Sequence, residues 1–219
     1  LGPPERRLSV IHNGLHLDGR AAGPPPARGK TLAFVGRCSV PKGVTVLARA
    51  TPLILDADPG ATITFAGPLA DPRAGRILSA LAGRYPGRVR LLGRLPHRQV
   101  LTLLAGSCAL LAPSFYEICP MAVLEAMACG TPALASAAGP FPELMEDGVS
   151  GTLFPAGDAG ALAEAALALL GSPHLQWTMG QACRARFAAL YDMQVVMAQL
   201  EAFYAQVCAH GQSGPGKEV

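Results

Sequence analysis

Two glutamates, Glu117 and Glu125, lie in the stretch of the chain whose residue types are best suited to chemistry, residues 114–130. The stretch reads S-F-Y-E-I-C-P-M-A-V-L-E-A-M-A-C-G, which predicts a loop bearing Glu117 and then a short helix bearing Glu125. Pro120 suits the first turn of a helix, because it has no N–H to satisfy, and Gly130 suits the left-handed residue that follows one. The helix is otherwise apolar nearly all round, so we expect it to be buried, and its single charge at Glu125 then requires an explanation.

The spacing of the two carboxylates limits what they can do together. A helical rise of about 1.5 Å per residue places them at most about 12 Å apart, too far for an acid/base pair that shares a proton. That distance suits the two hydroxyl-bearing ends of one elongated ligand. The N–H groups of residues 118–122 lie between them and favour an anion, which gives the order of a sugar, a diphosphate and a ribose. The alternative is a solvated Glu117 and a Glu125 in an internal salt bridge, because such a spacing is common by chance.

The composition is that of a folded protein with a large core. Of its 219 residues, 50% are hydrophobic and 15% charged. The net charge of +3 comes mostly from arginine without a basic block, which argues against nucleic acid as the main partner. Six scattered cysteines without a C-x-x-C pair favour reduced core thiols in a cytoplasmic protein over disulfides or zinc. We expect neither a signal peptide nor a transmembrane helix.

Short apolar segments alternate with helical segments along most of the chain. The predicted strands are residues 7–14, 31–36, 61–66, 89–92, 109–112, 132–136 and 152–154. The predicted helices are residues 43–57, 75–84, 98–105, the helix with Glu125, and residues 142–145, 158–170, 175–190 and 192–210, and residues 21–29 form a linker rich in Pro and Gly. This alternation predicts an α/β fold, a doubly wound parallel sheet with helices on both faces.

Several of the predicted strands end in glycine. Such turns occur at Gly36-Arg37, Gly67-Pro68 and Gly93-Arg94, and the loop of residues 114–117 follows another strand. Ligands of doubly wound sheets bind beyond the carboxyl ends of the strands. We therefore expect one binding site where these turns meet.

Six segments, in order, resemble the carboxyl-terminal half of the GT-B-fold retaining glycosyltransferases of group 1 (glycosyltransferase family 4). They are V-I-H-N-G, F-V-G-R-C-S-V-P-K-G-V, F-A-G-P-L, V-R-L-L-G-R-L-P, P-S-F-Y-E-I-C-P-M-A-V-L-E-A-M-A-C-G-T-P and P-E-L-M-E-D-G-V-S-G-T-L-F-P-A-G-D. The resemblance spans about residues 8–191. It implies one Rossmann-like half of a GT-B fold that binds a UDP- or GDP-sugar for transfer to an acceptor, with no cofactor and no required metal.

The resemblance also implies roles for individual residues. Arg37 and Lys42 would grip the donor diphosphate, as a bidentate guanidinium and a mobile point charge. Glu117 would hold hydroxyls of the donor sugar, and Glu125 those of the ribose. The residues implied in catalysis are Arg37, Lys42 and Glu117. The residues implied in donor binding are Gly36, Arg37, Lys42, Arg94, Leu95, Glu117, Ile118, Cys119, Pro120, Met121 and Glu125.

Main-chain groups complete the implied site. Gly36 would let the backbone approach the ligand closely, and Arg94 and Leu95 would read the edge of the base. The N–H groups of residues 118–121 would face sugar and phosphate. Many relatives carry Phe-Gly where this chain has Cys119-Pro120, and we expect Cys119 to fill space. The five histidines are isolated in the sequence, which predicts surface or loop positions: His12, His16, His97, His174 and His210.

The domain prediction follows from the same resemblance. Residues 1–30 are a linker and first strand leading from a missing acceptor domain, residues 31–190 the nucleotide-sugar-binding domain, and residues 191–219 a C-terminal helix and disordered tail. We expect no transfer activity without the acceptor domain. We also expect any peripheral association with a membrane to depend on that absent half. One alternative is a non-catalytic nucleotide-sugar-binding subunit that pairs with a separate acceptor domain. A sugar-nucleotide epimerase is less favoured, because it needs acid/base residues from both domains.

Overall fold

Six short strands form one parallel sheet in the computed structural model, which describes residues 9–16 and 29–212. They are β1 (Thr31–Val35), β2 (Thr62–Ala66), β3 (Val89–Gly93), β4 (Ala109–Ala112), β5 (Ala133–Ser136) and β6 (Gly151–Phe154). Their order across the sheet is β3-β2-β1-β4-β5-β6, and every neighbouring pair is parallel. The order reverses between β1 and β4, which is the topological switch point of a doubly wound sheet.

Helices cover both faces of the sheet. They are α1 (Val44–Ala57), α2 (Pro72–Arg84), α3 (His97–Gly106), α4 (Met121–Ala128), α5 (Phe141–Leu144), α6 (Ala159–Gly171), α7 (Pro173–Leu190) and α8 (Met193–Gln212). Side chains from α1, α2 and α6, with Met179 of α7, form one buried cluster, and side chains from α3, α4 and α5, with Cys183 and Phe187 of α7, form another. Alternate residues of β1 enter the two clusters, with Leu32 and Phe34 in the first and Ala33 in the second.

The predicted doubly wound α/β fold is confirmed, and its cause is burial on both faces. A strand whose two faces are both covered must be apolar at consecutive positions, which produces continuous apolar runs rather than alternation. The helices begin where the sequence supplies caps. The side chains of Asp71, Asp158 and Ser172 accept hydrogen bonds from N–H groups in the first turns of α2, α6 and α7.

The predicted first strand, residues 7–14, is wrong over the part that the structure describes. Residues 9–14 are not a strand, and pairing is limited to one bridge between Leu15 and Asp192. The Leu15 N–H donates to the Tyr191 carbonyl over 2.9 Å, and the His12 and Tyr191 rings meet edge to face at 5.5 Å. The segment therefore packs at the junction of α7 and α8, and His12 lies in a loop, as predicted.

Other predicted features lie outside the described residues. These are residues 7–8 of the first strand, nearly all of the linker, and the disordered tail beyond α8, of which the structure describes nothing past Gln212. The apolar side chains of α8 are partly exposed, since Val196 is buried while Tyr204 and Val207 are open to solvent. Among the helices described, none combines the length and the apolar character needed to cross a membrane.

No disulfide joins the six cysteines, all of which lie within the described residues. Four are buried, Cys119 is partly buried and Cys208 is exposed. Burial raises the pKa of the Cys38 thiol to about 11. This thiol is therefore protonated and unreactive at neutral pH.

Candidate functional site

A cleft opens at the switch point of the sheet, where the chain leaves β1 and β4 toward opposite faces. It has an empty volume of about 630 Å³, part of it open to solvent. The end of β1 and its loop form one wall, and the end of β4 with the start of α4 forms the other. The polar or site-predicted residues that line it are Gly36, Arg37, Lys42, Ser114, Glu117, Cys119, Pro120 and Met121. Of the turns predicted to meet, Gly36-Arg37 and the loop of residues 114–117 line the cleft, whereas Gly67-Pro68 and Gly93-Arg94 do not.

The loop between β1 and α1 is fixed from two sides. On one side, the Asp71 carboxylate that caps α2 also accepts from the Val40 N–H over 3.1 Å. On the other, Gly43 has φ of 81°, and a Cβ at that position would overlap the carbonyl of Pro113. Only glycine adopts this conformation at little cost and leaves room for that contact. The two contacts place Lys42, between Val40 and α1, over the cleft.

Lys42 and Glu117 form an ion pair across the cleft. Both side chains are largely buried, with 22% of Lys42 and 13% of Glu117 exposed. The Ser114 hydroxyl lies 3.3 Å from the same carboxylate, and the Ser136 hydroxyl donates to the Ser114 carbonyl and holds that loop on β5. Glu117 is therefore a fixed carboxylate beside a cation, not the solvated group of the alternative interpretation.

Arg37 contributes a second cation to the same wall. It follows Gly36 at the end of β1 and is exposed, so its guanidinium faces the open side of the cleft. The arrangement combines an exposed guanidinium with a largely buried ammonium and carboxylate. Such a set can bind an anion through the cations and hydroxyl groups through the carboxylate.

The start of α4 differs from the prediction in two details. Pro120 occupies the position before the helix rather than its first turn, whereas Gly130 has the left-handed conformation expected after it, with φ of 70°. The predicted row of free N–H groups is wrong at Met121, whose N–H donates to the Cys119 carbonyl over 3.0 Å. Pro120, with φ of −81° and ψ of 79°, is the central residue of the three-residue turn that this bond closes. The Cys119 thiol accepts from the Asn13 amide over 3.0 Å.

Glu125 lies one turn further along α4, outside the residues that line the cleft. Its Oε1 is 2.9 Å from Nε2 of His97, the first residue of α3. Only 13% of the Glu125 side chain is exposed, against 57% of His97. Burial raises the pKa of the Glu125 carboxyl, and the hydrogen bond and charge of His97 oppose that rise. His97 is exposed at the surface, as predicted, and the fold brings it to Glu125.

The structure thus brings together most of the predicted site residues. Those not among the cleft lining are Arg94, Leu95, Ile118 and Glu125. Arg94 and Ile118 are exposed, and Leu95 is partly buried in the connection between β3 and α3. Sequence reasoning placed Ser114 in the site loop but missed the contacts of Asn13 and His97 with site residues. These two contacts depend on tertiary packing, which the sequence does not display. Over the described residues, no three side chains among His, Cys, Asp and Glu form a cluster suited to a metal.

The fold and the cleft define a class of protein, a Rossmann-like α/β domain with its ligand site at the switch point. Residues 29–172 match the family described as glycosyl transferases group 1, and the chain belongs to that family. The domain is one Rossmann-like half of a GT-B fold.

The curated relatives are about twice as long as the part that matches this chain. The chain is 31% identical over 207 residues to a phosphatidyl-myo-inositol mannosyltransferase of Mycobacterium leprae, covering 92% of this chain and 54% of the relative. It is 31% identical over 204 residues to a glycogen synthase of Mycobacterium tuberculosis, covering 89% and 47%. The chain therefore spans about half the length of these relatives.

Solved structures show the same fold. A sucrose-phosphate synthase from Thermosynechococcus elongatus superimposes with a TM-score of 0.74 at 29% identity, over 91% of this chain and 52% of that one. The Anabaena protein HepE, solved in complex with UDP-glucose, gives a TM-score of 0.78 at 22% identity, over 94% of this chain and 59% of that one.

Proposed function

We propose that this chain is the donor domain of a retaining glycosyltransferase and binds a nucleotide-diphosphate sugar in the switch-point cleft. The observation that carries the proposal is the pairing, in a group 1 glycosyltransferase chain, of Arg37 and Lys42 on one wall with Glu117 on the other. Two cations beside a fixed carboxylate suit a ligand with a diphosphate and a hydroxyl-bearing sugar.

In the proposed complex, Arg37 and Lys42 bind the diphosphate and stabilise the charge that develops on it as the bond to the sugar breaks. Positive groups already in place at a developing charge are the largest single source of catalysis in many enzymes. They can serve this purpose without a metal. Glu117 accepts hydrogen bonds from sugar hydroxyls and orients the sugar for transfer.

We propose a uridine nucleotide first, with guanosine as the second class to test. HepE, the fold neighbour that covers 94% of this chain, was solved with UDP-glucose, which supports this order. Acceptor recognition is proposed to depend on a second domain, in the same polypeptide or in a separate subunit, because the relatives are about twice as long as their match to this chain. A non-catalytic subunit would bind the donor in the same way.

The test is calorimetric titration of the folded chain with UDP- and GDP-sugars, with and without EDTA. We expect saturable binding of one nucleotide class, unchanged by EDTA and lost in the Arg37→Ala/Lys42→Ala double variant. Arg84→Ala is the matched control, since Arg84 lies in the last turn of α2, at the amino-terminal end of the strands and away from the cleft. A folded protein that binds neither class contradicts the proposal.

A further inference from the structure

His97 and Glu125 meet although 28 positions separate them in the chain. His97 begins α3 directly after the connection from β3, at the same edge of the sheet as the cleft. Glu125 lies four residues after Met121, which lines the cleft. Residues four apart share one face of a helix, about 6 Å apart along its axis. The pair therefore lies beside the cleft, one turn of α4 beyond Met121.

We propose that His97 is a positioning residue, which holds the Glu125 carboxylate so that it receives the ribose hydroxyls of the bound nucleotide. The inference rests on the proposed function, since it concerns one end of the same ligand. It assigns His97 no direct contact with the reacting atoms.

The hydrogen-bonding capacity of the two side chains supports this role. A carboxylate offers about four lone-pair sites on its two oxygens, and the described bond to His97 engages Oε1. The remaining sites suffice for a pair of neighbouring hydroxyls. His97 can donate through Nε2 both as imidazolium and as the neutral ring with its proton on Nε2, so the bond persists in either state.

The hydrogen bond from His97 matters because the Glu125 carboxylate is buried. The Glu125 side chain is largely buried, and a buried carboxylate without a donor is costly in its ionised form. Within α4 its neighbours in sequence are apolar, so the described donor comes from α3. Removing the imidazole leaves the carboxylate free to rotate or to take up a proton, and both changes reduce its ability to accept from ribose.

A purely structural role for His97 predicts a different result from a positioning role. A structural role would change the affinity for every nucleotide alike, through the shape of the site. A positioning role acts only on ligands that carry the ribose hydroxyls. The comparison of UDP with 2′,3′-dideoxy-UDP separates the two, because the second ligand lacks both hydroxyls and keeps the diphosphate.

The experiment measures both dissociation constants by calorimetry for the wild-type chain, His97→Ala, His97→Gln and His174→Ala. His174 is the matched control, an exposed histidine in the first turn of α7. We expect His97→Ala to weaken UDP binding roughly tenfold, the size of one hydrogen bond to a charged group, and to leave dideoxy-UDP unchanged. His97→Gln, which retains a donor, should restore most of the loss, and His174→Ala should match the wild type.

An equal loss for both ligands, or no loss with UDP, overturns the inference and leaves the proposed function standing. If the folded wild-type chain binds no uridine or guanosine diphosphate at all, the proposed function fails and the inference fails with it. Thermal unfolding of each variant shows that the folded state is retained, as expected for a side chain that is 57% exposed.

Discussion

At the scale of single residues, Lys42 and Glu117 neutralise each other across the cleft. A diphosphate that recruits Lys42 competes with Glu117 for the ammonium, and a sugar hydroxyl that donates to Glu117 competes with Lys42 for the carboxylate. In the proposed complex each side chain thus gains a ligand partner in place of the ion pair that it loses. Nucleotide alone makes only the first exchange and leaves Glu117 without its cation.

Replacing Glu117 with glutamine should therefore separate the two ligands. In Glu117→Gln we expect weaker binding of the UDP-sugar by about 1.5–3 kcal/mol, the range for hydrogen bonds to charged groups. UDP itself should bind as well as before or more tightly, because Lys42 no longer has a competing carboxylate. Calorimetry with both ligands measures the difference, and Glu146→Gln, an exposed glutamate beyond α5, is the control. A parallel loss of both affinities would contradict the exchange.

The sequence allowed the types of residue in the cleft to be predicted, but not their partners. Arg37, Lys42 and Glu117 follow predictable strand ends, so their convergence follows from the topology. The contact of Asn13 with Cys119 joins residues 106 positions apart, and it depends on how α7 and α8 pack against the segment of residues 9–16. Such a side-chain pair has no periodic signal in the sequence. The contact between His97 and Glu125 was missed for the same reason.

At the scale of elements, Asp71 links α2 to the loop that carries Lys42. One carboxylate oxygen caps α2 at Ala74, and the other accepts from Val40. The hydrogen bond from the Ala74 N–H, followed by that from Val40, holds the pKa of Asp71 below its ordinary value. A depressed pKa means that the ionised group stabilises the fold above the pKa of the unfolded chain, and that this contribution is lost as the pH falls through the folded value.

In Asp71→Ala we expect a lower unfolding temperature at neutral pH and a smaller difference from the wild type as the solution is acidified. We also expect weaker donor binding, because the loop loses its anchor at Val40. Asp158→Ala is the matched control: Asp158 caps α6 in the same way and does not line the cleft. Thermal unfolding across a pH series and calorimetry give the two readings. Donor affinities that fall equally in both variants would refute the role of Val40.

Gly43 determines how closely α1 approaches the end of β4. In Gly43→Ala we expect a loss of stability of at least about 1–2 kcal/mol, the cost of a left-handed conformation for a residue with a Cβ, with overlap at Pro113 in addition. Gly83→Ala is the control, since Gly83 lies in the last turn of α2 and a Cβ there meets nothing within 4 Å. That variant should gain at most about 0.5–1 kcal/mol, the gain expected in the middle of a helix. Denaturant unfolding measures both, and two changes of the same sign would contradict this account.

Element boundaries were predictable where the sequence marks them. Strand β4 was predicted at the residues observed, because Ser107 and Pro113 bound its apolar run. Helix α2 begins at Pro72, three residues before the prediction, although Asp71-Pro72 is a recognised helix-start signal. The first strand was wrong because residues 9–14 are apolar in part yet have no neighbouring strand with which to pair.

At the scale of the whole molecule, the doubly wound fold was predictable because the alternation of apolar runs and helices allows few other arrangements. The cleft was predictable as a region for the same reason. Its depth and lining depend on packing between the two faces, which the sequence does not display.

The accessibility of the cysteines provides a measurement on the whole chain. With Cys208→Ser as background, we expect Cys119 to react fastest with an alkylating reagent, because the four remaining cysteines are buried. A bound nucleotide sugar should slow this reaction, since Cys119 lines the cleft. Mass spectrometry of the labelled peptides gives the rate with and without UDP-sugar. Labelling of Cys119 that is insensitive to a ligand shown to bind would place the ligand elsewhere.

The two walls of the cleft belong to different hydrophobic layers. The loop with Lys42 leads into α1, whose side chains lie in one buried cluster, and the loop with Glu117 leads into α4, whose side chains lie in the other. The sheet separates these layers, and the side chains of α1 and α4 lie in different clusters. A molecule bound by both loops would link the two layers across the end of the sheet. Its binding free energy would therefore stabilise both layers against local unfolding.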